Sequence, residues 1–524
     1  MGIYLNPRNE NFIEMSGREL YVDKTMMLAE TNRFIDQGNK YICVSRPRRF
    51  GKTFAGNMLS AYYSKGCNSR ELFEKFKISK DPGFEEKLNK YNVIKIDLNS
   101  EYQNTLDKDK LIFRLTRKIR EEMEKVFPEI KFYEDDSLAE NILKIFSETG
   151  ETFIILIDEY DVLVREQASE HLFTEYLSFL NGLFKSDTLR PAISLAYLTG
   201  ILPVVRDKIQ SKLNNFREYT ILDANNLAEF IGFTDEEVRE LCKKHDINYD
   251  ECRLWYDGYK QRGYEIYNPE SVVRCIEDGH FGSFWGQTSS YEAITDRIKQ
   301  NFEGTHDDVV QMLSGEHIDV NVTSYLNTMK SFVTKDDLFT YLIHVGYLAY
   351  DWDEKTCRIP NKEVRQEWFN AIATVDDYKV TNSIIKASKN LVAETIAGNE
   401  AAIAEVLNNT HIHVTSNRNY NSEDSLASAI YLAYIHLLNT HTCTKEMTAG
   451  KGFADMIYIP VKKEEPAFII ELKRNDSKES ALHQIKDREY SKSLIHHQNN
   501  LFLVGINYDP KTKEHTCKIE KYEA

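Results

Sequence analysis

The sequence predicts a multidomain α/β protein, and three observations carry that reading. Its 524 residues suffice for two to four domains. Over residues 1 to about 235, short apolar runs rich in β-branched residues alternate with helical patterns, as a parallel sheet covered on both faces requires. Beyond residue 376 the chain starts helical and then switches to strand-like alternation around one further helix, which reads as a separate small α/β domain.

In the first stretch the strand candidates are Tyr41 to Ser45, Val93 to Asp97, Phe153 to Ile157 and Ile193 to Leu198. Residues 236 to about 375 read as mainly helical, with one hairpin near Gly346 to Pro360. Helices followed by a small hairpin suit a lid with a winged-helix element. In residues 376–524 the strand candidates are Ala454 to Ile459, Ala467 to Lys473 and Leu501 to Ile506, with a helix around Ala481 to Leu494.

A net charge of -16 lowers the expectation of a general nucleic-acid coat, whose affinity comes from basic groups on phosphates, but leaves room for a local basic groove. The eight cysteines are scattered without a CxxC pair, so neither a zinc site nor a disulfide framework is expected. No apolar signal core opens the chain and no run of about 18 apolar residues occurs, so a cytoplasmic protein with no membrane span is expected.

Arg46-Pro47-Arg48-Arg49-Phe50-Gly51-Lys52-Thr53 follows the first strand and precedes a helix expected from Lys52 through Met58. Gly51-Lys52-Thr53 fits the end of a phosphate-binding loop, whereas Arg46 stands where the pattern has its first glycine. Backbone N–H groups of the loop, with Phe50 and Gly51 in it, and the helix N-terminus would cradle phosphate, while Arg48 and Arg49 either add charge there or are simply solvated. Lys52 would reach the β- and γ-phosphates of ATP and Thr53 would ligate Mg²⁺. The strand Phe153 to Ile157 ends in Asp158-Glu159. Asp158 would hold Mg²⁺ and Glu159 would orient or deprotonate the attacking water. Thr199, at the end of another strand, is a candidate γ-phosphate sensor. Arg206 reads as a surface arginine before it reads as a phosphate contact.

The second constellation is Asp455, Glu471 and Lys473. If their strands pair as an antiparallel hairpin centred on Lys463, Asp455 and Glu471 lie directly opposite and Lys473 shares the face of Glu471. Opposed carboxylates repel unless a cation joins them. A divalent metal beside a lysine is apparatus for phosphodiester hydrolysis, and all-oxygen ligation favours Mg²⁺ or Mn²⁺. D…ExK is a short pattern, and a solvated strand face with a Glu–Lys pair is the competing reading. Gly450-Lys451-Gly452, Gln484, Tyr490, and Glu423 or Asp424 are subsidiary candidates for the same site.

Taken together, Tyr21-Val-Asp-Lys-Thr25, the Arg-Pro-Arg-Arg-Phe-Gly-Lys-Thr loop, Ile157-Asp-Glu-Tyr-Asp161, Leu198-Thr-Gly200, Leu213-Asn-Asn215, Trp255-Tyr-Asp-Gly-Tyr259, Tyr267-Asn-Pro269, Gly452-Phe-Ala-Asp455 and Ile470-Glu-Leu-Lys473 occur in that order. The set resembles the bacterial AAA-ATPase-like proteins that carry a C-terminal PD-(D/E)XK nuclease-superfamily domain. In that family the Arg-Pro-Arg-Arg loop is usual, whereas Phe453 here replaces a usual arginine and Glu423 is followed by Asp-Ser-Leu instead of Tyr-His. The resemblance implies an AAA-like P-loop ATPase domain over 1–235, a helical or winged-helix-like lid over 236–375, and a restriction-endonuclease-like α/β domain over 376–524. It implies ATP and Mg²⁺ as cofactors, DNA as substrate and ATP-controlled cleavage. A regulatory switch that binds nucleic acid without cutting it, and an ATP-driven assembly protein forming a homo-oligomer, are the alternatives.

Overall fold

The computed structural model describes residues 2–203, 215–261, 263–287, 292–323, 325, 332–414, 423–449, 452–462, 464–487, 494 and 500–522. The chain forms two compact units. One comprises 1–247, 258–279 and 321–350, and the other 248–257, 280–320 and 351–524.

The first unit is built on five parallel strands: β1 (Tyr41–Ser45), β2 (Asn92–Asp97), β3 (Phe153–Asp158), β4 (Ile193–Gly200) and β5 (Arg217–Tyr219). Their order is β2-β3-β4-β1-β5. All four expected strands form, and β5 is an additional three-residue edge strand. Side chains alternate between the faces. Cys43, Ile94, Ile96, Ile155, Ile157 and Leu198 pack against Leu115 and Ile119 of helix Leu111–Val126 and Ile142 of helix Leu138–Thr149. The latter helix starts with a capping box, in which Ser137 and Glu140 satisfy each other's backbone N–H groups. The opposite face carries helix α1 (Lys52–Tyr63), three turns long and nearly all buried.

The same unit holds a small antiparallel sheet of β6 (Phe233–Thr234), β7 (Tyr259–Gln261) and β8 (Tyr264–Tyr267), in the order β6-β8-β7. The expected hairpin near residue 350 appears as strands β9 (Ala349–Asp351) and β10 (Thr356–Arg358) flanking a turn. Residues 236–375 hold several helices together with β7 to β10, and they divide between the two units.

The second unit ends in a five-stranded sheet of β11 (His441–Ala449), β12 (Gly452–Pro460), β13 (Ala467–Arg474), β14 (Leu501–Asp509) and β15 (Glu514–Lys521), in chain order. Every pairing is antiparallel except β13 with β14. A parallel pair needs a crossover, and helix α2 (Lys478–Asp487) supplies it. Ile457, Ile469 and Leu503 meet Leu482 and Ile485 of that helix in one apolar cluster. Among the described residues no helix is long and apolar enough to cross a membrane.

Candidate functional site

Strand order determines what gathers at the carboxyl edge of the first sheet. β4 lies between β1 and β3, so the loop after β1, Thr199 at the end of β4 and Asp158 at the end of β3 become neighbours. Thr53 Oγ1 donates to Asp158 Oδ2 at 2.7 Å. Thr199 Oγ1 donates to Asp158 Oδ1. Each oxygen of Asp158 thus accepts one hydroxyl, and one of the two is the Thr53 hydroxyl expected to share a metal ion with it.

Lys52 is buried, and its amino group donates to the carbonyls of Arg46 (2.9 Å) and Pro47 (2.8 Å). Burial pulls it down to about 8, against the opposing pull of Asp158, Asp161 and Glu159. A desolvated ammonium held by loop carbonyls gains strongly from an anion brought to the loop. The loop turns through left-handed residues at Arg49 (φ 68°) and Gly51 (φ 90°). These turn the chain into the N-terminus of α1, where unpaired N–H groups favour phosphate.

The other loop residues divide by role. Arg46 is fully buried, and its guanidinium donates to Ser45 O and Tyr219 O, both at 2.8 Å, stitching the loop to the edge strand β5. A glycine at that position could make neither bond. Phe50 is core, meeting the ring of Tyr259 edge-on at 5.4 Å, so only its backbone faces the loop interior. Arg48 is exposed. Arg49 is exposed at its tip and pairs with Glu270 at 2.5 Å, on the first turn of helix Pro269–Asp278.

Glu159 has a left-handed backbone, φ 53°, and pairs with Arg165 at 2.5 Å. Asp161 accepts the backbone N–H groups of Ile201 (3.0 Å) and Leu202 (2.8 Å). The sequence reading assigned no role to Asp161, Arg165 or Lys95. Lys95 carried a signal, being a charge inside the apolar run Val93 to Ile96. Its amino group bonds to Asn57 of α1, and burial lowers its pKa against the pull of Asp158 and Asp97. Arg206 lies outside the described residues.

In the second unit, β12 and β13 pair with Met456 opposite Ile470 and Ile457 opposite Ile469. Continued by one residue, that register sets Asp455 opposite Glu471, as the hairpin reading expects. Asp455 Oδ2 accepts the backbone N–H of Leu472 at 2.5 Å. Glu471 is buried on the face under α2. Gln484 of that helix donates to its Oε1, Lys473 Nζ lies 3.4 Å from the same oxygen, and Lys473 also donates to Gln484. Gly505 makes this possible. It pairs with Glu471 on the next strand, and a Cβ there would lie 2.6 Å from Lys478 O, so only glycine lets α2 come this close.

The Glu471 carboxyl is pushed up to about 7, first by burial and then by Asp455, with Lys473 opposing. Its Oε2 is buried without a hydrogen-bond partner. An orphaned carboxylate oxygen beside a second carboxylate fits a hard divalent cation. Among the described residues no set of three or more His, Cys, Asp or Glu side chains converges. The expected contributions of Gly450, Lys451 and Tyr490, and of the side chains of Phe453, Glu423 and Asp424, lie outside the described residues.

Comparison with known proteins finds family matches towards both ends of the chain. Residues 10–210 match the AAA-ATPase-like family model, described as predicted AAA-ATPase. Residues 421–517 match a model of the PD-(D/E)XK nuclease superfamily. A protein described as "Uncharacterized protein in vnfD 5'region" from Azotobacter chroococcum mcd 1 is 22% identical over 295 residues, covering 53% of this chain. The chain matches about half, 52%, of that relative's length. Among solved structures, the Aeropyrum pernix ORC2 protein in ADPNP-ADP complexes is 11% identical, with a TM-score of 0.28 over 68% of this chain and 96% of its own. The Aeropyrum pernix ORC1 protein in complex with DNA is 12% identical, with a TM-score of 0.25 over 70% and 96%. Overlaps that low carry no inference about this chain. The family matches and the strand topology agree on the architecture: an AAA-ATPase-like region followed by a C-terminal domain of the PD-(D/E)XK nuclease superfamily.

Proposed function

We propose that this protein binds and hydrolyses ATP at the Arg46 to Thr53 loop and cleaves DNA at the Asp455–Glu471–Lys473 cluster, with the nucleotide state governing cleavage. The observation that carries the ATP reading is the meeting of Thr53, Asp158 and Thr199 beside the buried amine of Lys52. Lys52 would turn from the loop carbonyls to the β- and γ-phosphates, Thr53 and Asp158 would hold Mg²⁺, and Glu159 would take the proton of the attacking water. Thr199 would report the γ-phosphate to Asp158.

At the second cluster, Asp455 and the free oxygen of Glu471 would hold Mg²⁺ or Mn²⁺, which supplies water activation and charge neutralisation when bound. Lys473, held by Gln484 and Glu471, keeps a cation beside the carboxylates for the scissile phosphate or its water. ATP control rests on both domains sharing one chain.

ATP turnover and DNA cleavage by the full chain test the reading together, in Mg²⁺ and in Mn²⁺. Lys52→Ala should abolish turnover, and Asp455→Asn should abolish cleavage while sparing turnover. Unchanged turnover in Lys52→Ala moves the ATP site elsewhere. Cleavage that survives Asp455→Asn removes the nuclease assignment and leaves a nucleic-acid-binding switch as the better reading.

A further inference from the structure

The acidic segment after β3 holds more than the two acids expected to handle metal and water. Glu159 sits in a left-handed backbone, which a non-glycine residue keeps only where its surroundings over-determine it. Two backbone bonds fix it, one from Tyr160 N–H to Thr199 O at 2.9 Å and one from Val162 N–H to Glu159 O at 3.0 Å. Its side chain is fixed separately. Arg165, on the short helix Val162–Arg165, places one guanidinium nitrogen 2.5 Å from Glu159 Oε2 and its Nε 3.4 Å from Asp161 Oδ2.

Arg165 is itself anchored. The Asp161 side chain is wholly buried and held by the N–H groups of Ile201 and Leu202. It packs so closely on the end of β4 that a Cβ at Gly200 would lie 2.8 Å from its Oδ1. A continuous path therefore runs from the residues after Thr199 through Asp161 and Arg165 to one oxygen of Glu159. The partly exposed carboxylate of Glu159 thus meets a guanidinium that is mostly covered and whose Nε lies in ion-pair range of the buried Asp161.

We propose that Arg165 is a positioning residue for ATP hydrolysis, holding the Glu159 carboxylate in the orientation its water-activating role needs. This rests on the proposed ATPase reading. In the step it serves, the water oxygen bonds to the γ-phosphorus and the bond to the bridging oxygen breaks, leaving its electron pair on ADP. The water proton passes to Glu159. Arg165 is placed against neither the water nor the phosphate and acts only through the Glu159 carboxylate it contacts.

Steady-state ATP hydrolysis by the full chain tests this with Arg165→Gln and Arg165→Lys, each alone and combined with Glu159→Gln. Arg165→Gln should lower kcat about tenfold or more with KM for ATP within about twofold, since it disturbs only a group used in the chemical step. Arg165→Lys should recover part of the loss, because it keeps the charge and loses the fork. In the Glu159→Gln background either substitution should cost less than about twofold, because the partner is already gone. An unchanged or raised kcat in Arg165→Gln overturns the proposal, as does a loss of equal size in both backgrounds. If Arg165→Gln does not fold, the Lys variant decides alone: a fall in kcat that vanishes beside Glu159→Gln supports positioning, and no fall overturns it. If Glu159→Gln itself leaves turnover unchanged, the ATPase assignment of Glu159 fails, and this inference fails with it.

Discussion

Replacing Glu471, the buried acid of the nuclease-like sheet, with Gln should change how stability depends on pH, and the direction follows from its surroundings. In the folded metal-free chain its carboxyl is pushed up to about 7 from an ordinary 4.5, by burial and by Asp455. The unfolded chain releases that proton near 4.5, so between about 4.5 and 7 the folded state binds more protons than the unfolded one. Stability from this group is present below 4.5 and is lost as pH rises through 7. Moving that carboxyl from 4.5 to about 7 corresponds to a loss of about 3 kcal/mol across the window. Glu471→Gln removes the titration, so the wild-type-minus-variant difference should fall with pH and flatten above about 7. Hydrogen exchange of the full chain, read over peptides covering β13 at roughly pH 5 to 8 in EDTA, isolates this region from the other unit. Adding Mg²⁺ at about a hundredfold excess over its dissociation constant should return about 2.7 kcal/mol to the wild type and little to the variant. A difference that stays constant across that pH range, unmoved by Mg²⁺ or Mn²⁺, refutes the reasoning and makes Glu471 an ordinary buried acid.

Three further outcomes follow from the same geometry. Lys52→Ala should reduce ATP turnover by about a hundredfold or more and weaken nucleotide binding in a calorimetric titration, because the cation facing the β- and γ-phosphates is gone; DNA cleavage by that variant should fall in parallel if nucleotide governs it. Lys473→Ala should keep the metal-induced protection of β13 while losing cleavage on a gel, since lysine serves the phosphate or its water and not the ion. Gly505→Ala should destabilise the domain by about 1–3 kcal/mol in the same exchange measurement, because its Cβ would push α2 off β14, and cleavage should fall as Gln484 withdraws from Glu471.

Much of the fold was legible where burial leaves a compositional mark. The central strands β1, β3 and β13 are apolar runs bounded by chemistry-bearing residues, and their limits agree with the sequence reading to within a residue. Of the strands that escaped it, the short β6, β7 and β8 have two to four residues each, and those of the two larger sheets lie at edges. β11 reads His-Thr-Cys-Thr-Lys-Glu and β15 reads Glu-His-Thr-Cys-Lys-Ile, and each pairs on one side only. An edge strand half-covered by protein carries little of the apolar excess that marks a central one. β5 has three residues, too few for any periodicity to show.

The sites follow a related rule. A charge in an apolar strand must be offset by a partner or a ligand, so each such charge was a question that the sequence posed and only the fold could answer. Glu471 and Lys95 are two such charges. For Glu471, the opposed Asp455 could be found by counting along a hairpin, because the two strands are adjacent in sequence. For Lys95, the partner Asn57 lies on the helix after β1, and Asp158 on the neighbouring strand β3. No count along the chain links those three, because a parallel sheet brings together residues separated by whole crossover helices. The same holds for Asp161: its acid was visible in Ile157-Asp-Glu-Tyr-Asp161, but its ligands are the N–H groups of Ile201 and Leu202. Local pairing exposes a site to sequence reasoning, and crossover topology conceals the residues that hold it in place.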